Sequence, residues 1–66
     1  MQISLKAARV NARFTQREIA DKIGVARTTV WKWETGKAKI SGRDLIRLCR
    51  LYHVSVDDIF LPTESA

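Results

Sequence analysis

Arg27, Thr28 and Lys32 are the side chains of this sequence whose types and spacing best suit chemistry with a ligand. They stand at i, i+1 and i+5 between Gly24 and Gly36, two residues suited to closing helices. On a helix they form a polar stripe toward the N-terminal half, opposite Val30 and Trp33, which are three apart and face inward. A guanidinium, a hydroxyl and an ammonium on one exposed helix face match the acceptors along base edges in a major groove, which is about 12 Å wide and admits a helix. The surrounding segment is rich in cations: from Lys22 to Arg43 the chain carries Lys22, Arg27, Lys32, Lys37, Lys39 and Arg43 against a single acid, Glu34. From Leu51 to Ala66 there is no Lys or Arg, whereas Asp57, Asp58 and Glu64 are acidic. The net charge of +5 is therefore polarised toward one segment, as expected of a surface facing phosphates. A solvated basic face without a ligand has the same composition, so charge by itself leaves the two readings level.

Other chemistries find less support. The single cysteine, Cys49, and the single histidine, His53, stand at i and i+4, on one helix face, where they offer two metal ligands. A zinc site needs three or four, and no further Cys or His exists, so no metal site is expected. Cys49 reads instead as a small core residue, and His53 as a helix end, where a histidine tolerates a left-handed backbone. No glycine-rich phosphate loop is present, and the acids are mostly explained as helix caps. The chain is expected not to be an enzyme and to need no cofactor or small-molecule ligand. One cysteine excludes an internal disulfide, no apolar run approaches the roughly 18 residues of a membrane span, and no export signal opens the chain. The expectation is a cytoplasmic protein without membrane association.

The elements that must position the stripe can be read from a recurring signal. Phe14-Thr15-x-x-Glu18-Ile19, Ile40-Ser41-x-x-Asp44-Leu45 and Val54-Ser55-x-x-Asp58-Ile59 share one pattern: apolar residue, hydroxyl, two residues, acid, apolar residue. The hydroxyl can accept from the third helical N–H, the acid can reach back to the cap, and the apolar pair can staple the entry. Helix starts are thus predicted at residues 15, 41 and 55. Leu5, Ala8 and Ala12 share a face and predict a first helix from about Ser4 to Ala12. Gly24 and Gly36 bracket a helix over about Arg27 to Glu34, and helix four shows the core stripe Leu45, Leu48, Cys49, Tyr52, with Arg43, Arg47 and Arg50 facing out. Pro62 ends the last helix and residues 63–66 should fray. The fold expected for residues 1–66 is a single all-α domain, a compact bundle of five short helices with its core at about residues 4–61. Helix two (about Gln16 to Ile23), a tight turn at Gly24-Val25 and helix three form a central helix-turn-helix, with small Ala20 at the crossing.

The runs Phe14-Thr15-Gln16-Arg17-Glu18-Ile19-Ala20, Lys22-Ile23-Gly24-Val25, Trp33-Glu34-Thr35-Gly36-Lys37 and Val54-Ser55-Val56-Asp57-Asp58-Ile59-Phe60 resemble the Cro/cI-type (XRE) helix-turn-helix family of phage-repressor-like transcriptional regulators. The resemblance spans roughly residues 5 to 61. It implies a lambda-repressor-like domain that binds double-stranded DNA, usually as a homodimer on a two-fold operator, most simply as a repressor. It places Arg27, Thr28 and Lys32 at base-reading positions. Gln16, Lys37, Lys39 and Arg43 fall where the family contacts phosphates, and Arg9 and Glu34 match a structural ion pair that bridges the first helix to the end of the third.

This sequence departs from the family pattern at four places. Ala26 stands where a Ser or Thr usually caps helix three, Arg13 and His53 stand where Gly is frequent, and Trp31 lies on the outward side of helix three. Trp31 could touch a thymine methyl or sugar-phosphate, pack on a partner, or be buried against helix four. For the acidic, apolar segment around Val56, Ile59, Phe60 and Leu61 the reading is a dimer interface, with core burial as the alternative. The competing function is a protein-interaction or antitoxin-like module that uses the same fold, with a partner on the Trp31 face.

Overall fold

The computed structural model describes residues 2–62. In chain order it contains α1 (Leu5–Asn11), α2 (Gln16–Ile23), α3 (Arg27–Thr35), α4 (Gly42–Tyr52) and a 3-10 turn at Val56–Asp58. The described residues form no strand, only a parallel bridge between Ile3 and Ile59. The all-α class expected from the sequence holds, with one correction: the fifth element is a single 3-10 turn rather than an α-helix. After that turn Ile59 adopts an extended backbone and enters the core, and Phe60 N–H donates to the Ile3 carbonyl at 3.0 Å. The tail expected at residues 63–66 lies outside the described residues.

Caps explain where the helices begin. Ser4, Thr15, Ser41 and Ser55 all sit in extended backbone and accept a backbone N–H on their hydroxyls. Thr15–Glu18 and Ser55–Asp58 close the reciprocal capping box, and the bonds from Thr15 hold the Glu18 carboxyl below its usual range. At Ser41 the acid is used differently, because Asp44 accepts from Arg47 at 3.5 Å. Four residues with positive φ make the exits. Gly24 (φ 77°) and Gly36 (φ 80°) end α2 and α3, and two residues with side chains, Arg13 (φ 65°) and His53 (φ 58°), follow α1 and α4. A left-handed backbone costs such residues roughly 1–2 kcal/mol, a strain the packing on either side must hold.

The core is built from one face of each helix: Leu5 and Ala8 of α1, Ile19, Ala20 and Ile23 of α2, Val30 and Trp33 of α3, Leu48, Cys49 and Tyr52 of α4, with Ile59 closing it. Cys49 is buried, and burial, then Asp58, pushes its thiol pKa up, so it packs as a small apolar side chain. The Tyr52 ring lies 6.4 Å from that of Phe14, and its hydroxyl pKa is raised by burial and by the nearby Glu34 carboxylate. Among the described residues no helix is long and apolar enough to cross a membrane.

Ala26 gives a direct stability prediction. Its backbone (φ −72°, ψ 149°) already has N-cap geometry, yet no side chain caps α3. Ala26→Ser should therefore add about 1 kcal/mol. For a domain of this size that corresponds to a melting temperature higher by about 4–8 °C. A thermal melt followed by circular dichroism decides it, and an unchanged midpoint would mean that the N-terminal amides of α3 are already satisfied.

Candidate nucleic-acid interface

α2 and α3 make the most extensive helix–helix contact of the fold. Ala20, fully buried, keeps the crossing close, and the Gly24 and Val25 amides both donate to the Ala20 carbonyl, at 2.9 and 3.0 Å. The left-handed Gly24 turns the chain sharply enough for α3 to start three residues later. Burying Val30 and Trp33 then fixes the rotation of α3 about its axis. The opposite face, with Arg27, Thr28, Trp31 and Lys32, is exposed. Trp31 is 42% exposed, so burial against α4 is not its role. Lys37 and Lys39 in the loop after α3, and Arg43 in the first turn of α4, are exposed as well.

A hydrogen-bonded network joins this face to the scaffold. Arg9 donates through Nε to Glu34 Oε2 at 2.7 Å and through Nη2 to Oε1 at 3.2 Å, and its Nη1 holds the Phe14 carbonyl at 2.8 Å. The pair is buried, with the Arg9 side chain 10% and the Glu34 side chain 4% exposed. It ties α1 to the last turn of α3, as the resemblance implied. Gln16, half-buried at the start of α2, continues the network: its Nε2 donates to Glu34 Oε1 at 2.9 Å and its Oε1 accepts from Arg27 Nη1 at 2.9 Å. The structure thus brings together Arg9, Glu34, Gln16 and Arg27, while no hydrogen bond joins them to Lys32, Lys37, Lys39 or Arg43 among the described residues.

Arg47 was expected to face outward with Arg43 and Arg50. Instead it is half-buried and donates through Nη2 to the Ile23 carbonyl at 3.1 Å, which braces the end of α2 from α4. It also donates through Nη1 to Asp44 Oδ1 at 3.5 Å within α4. At the C-terminal end, Ile59 is 7% exposed and belongs to the core, whereas Val56, Phe60 and Leu61 are exposed. Of these four residues, core burial therefore holds for Ile59 alone. Cys49 is buried in the core, while His53 is exposed at the C-cap of α4.

A family model described as helix-turn-helix matches residues 5–59. Two proteins of Archaeoglobus fulgidus, each named an uncharacterized helix-turn-helix-type transcriptional regulator, are 31% identical to this chain over 61 residues. Those residues cover 92% of the chain and 86% and 87% of the two proteins. A protein of Methanocaldococcus jannaschii with the same description is 33% identical over 61 residues, 92% of each chain. No solved structure matches the chain significantly.

Proposed function

Because the chain belongs to the helix-turn-helix family of transcriptional regulators, we propose that it reads double-stranded DNA with α3 in the major groove and represses transcription as a homodimer. The observation that carries this reading is the exposed face of α3, where Arg27 and Thr28 open the helix, the part of such a helix that meets base edges, and Lys32 extends the same face toward its C-terminal end. Arg27 takes a guanine edge, Thr28 a base methyl or acceptor, and Lys32 a base or the adjacent phosphate. Lys37, Lys39 and Arg43 set the register along the backbone as phosphate contacts. Trp31 adds contact area on the same face.

One domain of this size buries too little surface for tight specific binding, so two copies act on half-sites about one helical turn apart. Val56, Phe60 and Leu61 are the proposed meeting surface: they are exposed and apolar, and they lie in the part of the chain without cations, where two basic copies repel least. Occlusion of a promoter is the simplest route to repression.

Binding to an operator selected from random DNA, followed across a salt series, tests the proposal. The wild-type chain should select a palindrome and bind it with a steep salt dependence. Lys39→Ala should weaken specific and random DNA alike and flatten the slope of log K against log salt by about 1. Absence of salt-dependent binding would reject DNA reading and favour a protein partner on the Trp31 face.

A further inference from the structure

In the network described above, the amide of Gln16 is engaged at both ends inside the molecule, and the two ends are not interchangeable. An ionised carboxylate only accepts hydrogen bonds and a guanidinium only donates them. The reversed amide would set oxygen against oxygen at Glu34 and N–H against N–H at Arg27. Glu34 cannot turn away to accommodate it, because both its oxygens are bound by Arg9 and its side chain is 4% exposed. Arg9 is itself pinned by the Phe14 carbonyl at 2.8 Å. The polarity of the Gln16 amide is thus dictated from the buried side, and its oxygen must face Arg27.

We propose that Glu34 and Gln16 are positioning residues for Arg27, with the buried Arg9–Glu34 pair as their anchor. Gln16 holds Nη1 of Arg27 and leaves the edge formed by Nε and Nη2 free for a ligand. A long arginine side chain loses rotamer freedom on binding, which opposes affinity, and here part of that ordering is done on folding. This proposal rests on the reading of α3 as the element that meets DNA. It also assigns Gln16 a role other than the phosphate contact that the family resemblance implied.

Gln16→Met keeps the length of the side chain and its helix propensity while removing both hydrogen bonds. It should weaken binding to the selected operator by about 2- to 10-fold. In an Arg27→Ala background the same substitution should change operator affinity no further, since nothing is left to position. A loss that persists undiminished in that background would mean that Gln16 acts on DNA by itself, and would overturn the proposal. A second readout needs no DNA. Nitrogen-15 relaxation of the Arg27 Nε–H in the free protein should show a restrained side chain in the wild type. In Gln16→Met and in Glu34→Gln it should become as mobile as that of exposed Arg17. If Arg27 is already mobile in the wild type, the relay is wrong even where an operator is found. If no operator is selected at all, the base-reading role fails, whatever the mobility of Arg27.

Discussion

Glu34→Ala should cost about 3–5 kcal/mol of folding stability, the range for removing one partner of a buried ion pair. For 66 residues at roughly 0.05–0.15 kcal/mol each, total stability is about 3–10 kcal/mol, so this one substitution removes much or all of it. The reason lies in what is left behind. Arg9 is 8% exposed and would keep only the Phe14 carbonyl as a partner, with its charge uncompensated in the core. Gln16 Nε2 would lose its acceptor as well. The same logic predicts a rescue: replacing both charges, as in Arg9→Met with Glu34→Leu, should recover most of the loss, because an apolar pair carries no desolvation penalty. Urea unfolding at neutral pH measures the variants. A loss below about 1 kcal/mol for Glu34→Ala would show that the pair is not the clasp between α1 and α3, and the double variant isolates the coupling.

What could be read from the sequence follows a physical division. Helix starts are local events, set by a hydroxyl and the next three residues, so Thr15, Ser41 and Ser55 announced all three. A start does not fix a length. The turn after Ser55 stops at Asp58 because Ile59 is drawn into the core and the chain pairs with Ile3, a contact more than 50 residues away in sequence, while Pro62 follows too closely for a long helix. The inward and outward faces of α3 came from periodicity and hold, with Val30 and Trp33 buried and Arg27, Thr28 and Lys32 exposed. The Arg9–Glu34 pair was legible only through family resemblance, because nothing local joins residues 25 positions apart. Arg47 was misread for a related reason. Its acceptor is a backbone carbonyl, which carries no residue-type signal for a pattern to detect. Gln16 shows the same limit: the family resemblance implied a phosphate contact, and only the three-dimensional arrangement shows Glu34 and Arg27 at its two ends.

Arg27→Ala should reduce affinity for a selected operator by about 1–3 kcal/mol, roughly 5- to 150-fold per half-site, and should relax sequence preference at one base pair. Random DNA should lose far less, because only one charge near the phosphates is removed. The expectation is sharper for Arg27→Lys. That variant keeps the charge, so the salt slope should stay near the wild-type value, but an ammonium is a point donor and cannot reproduce the planar fork. It should therefore lose most of the discrimination lost by the alanine variant. Geometry gives the reason to single out this residue over Thr28 or Lys32. Arg27 is the first residue of α3, where a docked helix lies closest to base edges, and it is the member of the stripe whose side chain is hydrogen-bonded to another, through Nη1 to Gln16. A guanine contact worth the stated discrimination needs two parallel N–H groups on one edge, and Nε and Nη2, which make no hydrogen bond among the described residues, would supply them. If Arg27→Ala weakens operator and random DNA by the same factor, Arg27 contacts phosphate only, and base reading must be reassigned to Lys32 and Thr28. If Arg27→Lys retains full discrimination, the bidentate contact is wrong even though the residue is in the interface.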